Sequence, residues 1–402
     1  MDSLPSSKKL QIVAHLMVAT QMVLEFCVIA MVVANFGTAA AAPYFVTLAT
    51  VAIFVAVLTA GLHDYLILTR LSGFFWYINL ALKFFIIGIT GIFLIKGLIY
   101  AIMLTLGFFS AVLSKYFLAK MKLEIDLPIA LITDAFSSVV SKLLLITALS
   151  AGKNFSAEDF GFFAAIFPAL AAGIFALVIT KTRESRPANV STVYEISHSY
   201  FFDLYWIKMA TQSFKRMDVL LINLLFQESA VTLYSVMKQI LGGCNTIIGK
   251  IYTQMVFFKA ASASRKKGND ELGAYVSKRS AESLVLLMLA IAMSFFVVTE
   301  LPFALFDNIK LMLIGNLALY IVMAIQLLLV TRISMMNQVL KAYLATRYVL
   351  AITVLIAAVK LGSLWIGSIF SDRLELAILV DCSVLALFFL PAAAIFYKKS
   401  IN

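Results

Sequence analysis

The sequence predicts an all-α integral membrane protein of about twelve transmembrane helices in two six-helix lobes. Three observations predict it. Hydrophobic residues make up 62% of the chain, charged residues only 13%, and mean hydropathy is +0.99. A water-soluble core cannot absorb that much apolar surface. The apolar residues run in blocks of about 20 without strand-like alternation, so helices must satisfy the backbone within the bilayer. Lys and Arg, finally, partition strongly between alternate connections.

The blocks place helices over 10–34, 44–68, 75–95, 97–117, 127–149 and 159–180. A second set covers 200–226, 230–258, 280–300, 311–331, 343–360 and 375–396. The start, Met1 to Lys9, is short and polar. It leads into the first apolar run without a small-residue cleavage site, which reads as a retained helix. The largest polar connections are 181–199 and 259–279. The first divides the chain into lobes of 1–185 and 186–402.

With both termini inside, one set of flanks holds Lys8, Lys9, Arg70, Lys115, Lys120, Lys122, Lys181, Arg183, Arg186, Lys259, Arg265, Lys266, Lys267, Lys278, Arg279, Arg332, Lys341, Arg347, Lys398 and Lys399. The opposite flanks hold Lys96, Lys153, Lys310, Lys360 and Arg373. That bias of 20 to 5 puts both ends in the cytoplasm. It also accounts for the net charge of +11 without invoking nucleic acid. A weak repeat at an offset of 190 accompanies the 6+6 division. Phe36, Ala40, Tyr44 and Val46 around the first outer turn match Phe226, Ala230, Tyr234 and Val236 around the seventh.

Seven bases fall inside expected spans: Lys83, Lys142, Lys208, Lys215, Arg216, Lys238 and Lys250. A charge in hydrocarbon costs at least ~2.5 kcal/mol, so such residues face water, a counter-ion or a charged ligand. On the seventh span Lys208, Thr211, Gln212, Lys215 and Asn223 share a face, with Asp218 at its edge. On the eighth, Tyr234, Lys238 and Asn245 do the same. The fifth carries a stripe of Asp134, Ser137, Ser138, Ser141 and Lys142, for which ordinary interhelix bonding through the serines is an alternative. Glu25, Asp134, Asp203, Asp218 and Asp381 are intramembrane acids. Glu25, Asp134, Asp218 and Asp381 are candidates for ion coupling, with structural ion pairing as the alternative. A cluster of bases on several helices points to a carrier for an anion.

Enzyme signatures are missing from the sequence. Gly243 to Lys250 departs from a phosphate loop in spacing and in Ile251, and His15, His63 and His198 are scattered. Cys27, Cys244 and Cys382 are far apart in apolar segments. Neither a metal site, a catalytic residue nor a cofactor is expected.

From Tyr200 to Ala281 the chain resembles the polysaccharide (O-antigen type) flippases of the multidrug/oligosaccharidyl-lipid/polysaccharide exporter superfamily. The matching elements begin with the polar seventh helix, Lys215-Arg216-Met217-Asp218 followed by Leu220-Leu221-Ile222. The turn at Phe226–Ser229, Tyr234 opening the next helix, and the basic loop Lys259 to Lys267 follow. Gly268-Asn269-Asp270 and Leu272–Ser280 complete the set. The resemblance implies a V-shaped bundle around a central cavity. It implies transfer of undecaprenyl-pyrophosphate-linked oligosaccharide across the bacterial inner membrane. Membrane lipids, a polysaccharide polymerase and glycosyltransferases would be partners. Lys83, Lys142, Lys208, Lys215, Arg216 and Lys238 would neutralise phosphate; Thr211, Gln212, Asn223, Tyr234 and Asn245 would bond sugars. The alternatives are a membrane polymerase or ligase, which would carry a longer outer loop, and a small-molecule exporter of the same superfamily.

Overall fold

The computed structural model describes residues 4–59, 62, 66, 74–124, 127–151, 155–182, 198–248, 252–253, 255–256, 259–260, 272–300, 306–342, 346–370, 373–391 and 394–395. Among them the chain is helical throughout. In order the helices are α1 (Leu4–Phe36), α2 (Ala42–Thr59), α3 (Phe74–Lys96), α4 (Leu98–Glu124), α5 (Leu127–Ala151) and α6 (Ala157–Thr182). Then come α7 (His198–Leu225), α8 (Glu228–Ile247), α9 (Leu272–Glu300), the short α10 (Asp307–Gly315), α11 (Leu317–Ala342), α12 (Thr346–Phe370) and α13 (Leu374–Val384). A π turn, Leu385–Phe389, prolongs α13.

Setting α10 aside, twelve spans remain in the described residues, six before the 183–197 connection and six after it. Eight are apolar enough over a sufficient length to cross a membrane on composition alone. Three of the others, α7, α8 and α13, fall short for identifiable reasons. α7 carries Asp203, Lys208, Lys215, Arg216 and Asp218. α8 carries Glu228 and Lys238 among several polar residues. α13 has only 11 residues before its π turn. The protein is a multi-pass membrane protein.

Several elements differ from the sequence expectation. The tenth span is broken by Asn316 into α10 and α11, and it runs on to Ala342 rather than ending at 331. The ninth begins at Leu272. The eleventh extends to Phe370, so Lys360 lies inside it and not on an outer flank. The expected lobe boundary at 185/186 falls outside the described residues.

Local chemistry explains the breaks. Gly37 and Gly97 follow α1 and α3 with φ of 81° and 88°, the left-handed stop that glycine adopts without strain. Before α6, Ser156 and Asp159 cap one another: the Asp159 N–H donates to Ser156 Oγ at 3.2 Å, and the Ser156 N–H donates to Asp159 Oδ2 at 2.9 Å. Many hydroxyls within the spans turn back on their own helix, as Thr50 does on the Val46 carbonyl at 2.9 Å.

The chain divides into two compact units, residues 1–35 with 43–216, and residues 36–42 with 217–402. In the first, Phe108 stacks on Phe85 with ring centroids 4.7 Å apart. Gly161 lets α6 approach α2, because a Cβ there would stand 2.7 Å from the Tyr44 carbonyl oxygen. In the second, Gly367 of α12 leaves no room for a side chain against Ala377 of α13.

Candidate functional site

The second unit contains a buried carboxylate that gathers donors from three helices. Asp218 of α7 is 0% exposed. Its Oδ1 accepts the Val219 N–H at 2.8 Å, which fixes the carboxylate to its own turn. From α8, Tyr234 donates its hydroxyl to Oδ2 at 2.5 Å. One turn later Lys238 donates to both oxygens at 2.7 Å. From α12, Lys360 donates to Oδ2, also at 2.7 Å.

One acid therefore holds two bases. The carboxylate is enclosed, whereas the side chains of Lys238 and Lys360 retain 28% and 22% of their exposure. The shared carboxylate stabilises both ammoniums within the helix bundle. Beside them, Asp381 of α13 interacts electrostatically with Lys360. It is 1% exposed and its Oδ2 accepts the Gln326 side-chain amide of α11. Its Oδ1 is buried without a hydrogen-bond partner among the described residues.

The first unit holds a smaller version of the same arrangement. Lys142 of α5 donates to Glu25 Oε2 of α1 at 2.7 Å and to the Gln21 carbonyl at 3.1 Å. Buried Tyr44 of α2 interacts electrostatically with Glu25. In each unit, then, the acid comes from the first helix of a six-helix set, a tyrosine from the second and a lysine from the fifth. The tyrosines are the pair at the offset of 190. Glu25 sits three residues before Val28, the position equivalent to Asp218. The same offset carries Lys238 onto Leu48, so the second lysine belongs to the second unit alone.

No family model matches the chain, and no curated protein sequence does. Solved structures do match. A MATE crystallised in complex with MaL6 is 10% identical, with a TM-score of 0.62 over 98% of this chain and 97% of that one. A MATE in the straight conformation is 13% identical, with a TM-score of 0.60 over 98% and 95%. An outward-facing multidrug resistance MATE family transporter of the MOP superfamily is 12% identical, with a TM-score of 0.59 over 96% of each chain. The chain has the MATE transporter fold.

Within this MATE-like fold the sequence-derived candidates separate. Lys238, Tyr234, Asp218 and Asp381 are brought together in the second unit. Lys142 and Glu25 pair in the first. Asn245 lies elsewhere on α8 and accepts from Thr331 at 3.3 Å. Lys83 of α3, Asp134 of α5 and Asn223 of α7 are exposed, and Arg216 is half-buried. The side chains of Lys208, Thr211, Gln212 and Lys215 lie outside the described residues. The α5 serines turn inward: Ser137 and Ser141 donate to the Thr133 and Ser137 carbonyls of their own helix, at 2.6 and 2.7 Å. Among the described residues no group of three or more His, Cys, Asp or Glu could hold a metal ion.

Lys360 and Gln326 were not legible as site residues. Lys360 follows a long apolar run, so it reads as the end of a span. The one available signal is that ten further residues, Leu361 to Phe370, are again uncharged.

Proposed function

We propose that the chain is a flippase that moves undecaprenyl-pyrophosphate-linked oligosaccharide units across the bacterial inner membrane. It serves O-antigen or another surface polysaccharide and works by alternating access, without enzymatic chemistry. The observation that carries this reading is the second-unit cluster, where two mostly buried lysines share one enclosed acid. Two of the three charged groups in direct contact there are positive, which suits a diphosphate headgroup better than a cation. The likeness of 200–281 to polysaccharide flippases supports the same substrate class. The basic flanks support cytoplasmic termini. Membrane lipids, a polymerase and glycosyltransferases are the partners this role requires. Asp381, with one carboxyl oxygen that has no hydrogen-bond partner among the described residues, is the acid best placed to exchange an ion during the cycle.

A second reading, a small-molecule exporter, draws support from the multidrug resistance transporter among the structural neighbours. Deletion of the gene separates the two. The flippase reading expects one surface polysaccharide to vanish while its lipid-linked unit accumulates on the inner leaflet. Intact polysaccharide with raised sensitivity to cationic drugs would favour the exporter. Single repeat units displayed outside would favour a polymerase.

A further inference from the structure

We propose that a groove between α3, α4 and α6 of the first unit binds an anionic phospholipid of the cytoplasmic leaflet. One acyl chain lies in the groove, and the headgroup rests on Lys120 and Lys181. The inference does not depend on what the protein transports; it uses the basic flanks only to name the leaflet.

The groove has a volume of about 470 Å³. Its walls include Phe74 of α3, Leu106, Phe109, Leu113 and Tyr116 of α4, and Leu170 of α6. Of its nine lining residues only Ser110 and Tyr116 carry a polar side-chain atom, so a hydrocarbon chain is the matching occupant. Leu106 and Phe109 are exposed, which opens the groove to the apolar surroundings of a span. On α4 the lining positions 106, 109, 113, 116 and 117 follow the spacing of one helix face. Leu106 to Phe117 covers about 16 Å of helix. Half of a hydrocarbon core is about 15 Å. The groove is therefore one leaflet deep, which suits an acyl chain and is short for a polyprenyl one.

The same face of α4 continues to a base. Lys120 lies one turn after Tyr116 and two turns after Leu113. Lys115 turns elsewhere, donating to the Thr59 carbonyl and to Thr59 Oγ1 of α2 at 2.8 and 2.6 Å. α4 and α6 run side by side in one direction. A Cβ on Gly107 would stand 3.6 Å from Ile166, and a Cβ on Gly173 would stand 2.9 Å from Leu113. That register brings Lys181 of α6 close to the depth of Lys120. Lys181 also follows Leu170 by about three turns, on the same face of α6, and it is exposed. Phe74 and Tyr116 meet with ring centroids 4.5 Å apart and close the groove just before these bases. Tyrosine at that level marks the headgroup boundary. An apolar channel, an aromatic rim and two bases thus follow the order of chain and anionic headgroup in a phospholipid, and each base favours the anionic lipid.

The test is photo-crosslinking of the full-length protein in nanodiscs. The probe is phosphatidylglycerol with a photoreactive group at the end of one acyl chain. A phosphatidylcholine probe with the same chains controls for the headgroup, and crosslinked peptides are mapped by mass spectrometry. The phosphatidylglycerol probe should label segment 106–117 roughly tenfold more than the control. Lys181→Gln should cut that preference roughly fivefold, and adding Lys120→Gln should abolish it. Should the double variant fail to fold, Lys181→Gln decides alone, because its side chain is exposed. Leu106→Trp, which fills the deep end of the groove, should lower labelling by both probes. Excess unlabelled phosphatidylglycerol should displace the probe, and farnesyl diphosphate should not.

Equal labelling by the two probes, an unchanged preference in Lys181→Gln, or displacement by farnesyl diphosphate but not by phosphatidylglycerol would overturn the proposal. Polysaccharide export enters none of these readouts, so a deletion strain with normal polysaccharide would remove the flippase reading and leave the lipid groove standing.

Discussion

The two units solve the problem of an intramembrane charge in opposite orientations. In the first, the base is enclosed and the acid looks out: Lys142 is 12% exposed and Glu25 38%. In the second, the acid is enclosed at 0% and two bases look out at 28% and 22%. The helices that supply these groups correspond, first and fifth in each set, and a tyrosine on the second helix accompanies both acids. Among the differences, Leu48 stands at the position equivalent to Lys238. An ion pair stabilises a bundle in either orientation, but only the second joins two bases to one acid. A balanced pair is therefore expected to serve the fold, and an unbalanced one to serve a ligand.

The comparison breaks most severely at the acids. Asp218→Asn should destabilise the protein by about 3–5 kcal/mol, because two lysines lose an enclosed counter-ion. Glu25→Gln should cost about 1–2 kcal/mol, since Lys142 keeps the Gln21 carbonyl and the lost partner was already partly in solvent. Melting of the purified variants in detergent and their membrane levels measure both. Equal losses would erase the distinction between the units.

Tyr234→Phe removes one donor from an enclosed carboxylate and should cost about 1.5–3 kcal/mol. Tyr44→Phe should cost less, because Glu25 is more exposed than Asp218. A larger loss at Tyr44 would mean that the tyrosines have different duties in the two units. The smallest effect is expected for Lys238→Leu. It converts the second cluster to the one-to-one balance of the first, with Lys360 still on Asp218, so the melting temperature should move by only a few degrees. Collapse of this variant would show that the second lysine is structural.

Much of this architecture was legible in the sequence, because a bilayer dictates helix length and permits few charges. The six-plus-six order follows from apolar blocks, and the Tyr44–Tyr234 correspondence from the repeat. The stripe on α8 set Tyr234, Lys238 and Asn245 on one face, and the first two meet at Asp218. What the sequence could not show is which charges answer one another. Asp218 and Lys360 are 142 positions apart, and nothing local links them. Lys360 was read as a flank because a lysine after an apolar run usually marks the membrane surface. Here a buried carboxylate neutralises it, and α12 continues for ten residues more. Within the α5 stripe, Lys142 reaches Glu25, whereas Ser137 and Ser141 bond carbonyls of their own helix.

The central claim, that the second unit's lysines serve the substrate and the first unit's lysine serves the fold, is tested most directly by export. Lys360→Gln and Lys142→Gln would each be expressed in a strain lacking the gene, with surface polysaccharide and membrane protein level measured side by side. Lys360→Gln should reach normal protein levels yet lose export by roughly tenfold or more, a shortfall of about 1.4 kcal/mol or greater in substrate stabilisation. Lys142→Gln should export in proportion to the protein present. Full export by Lys360→Gln at normal levels, or a specific export defect in Lys142→Gln, would contradict the account.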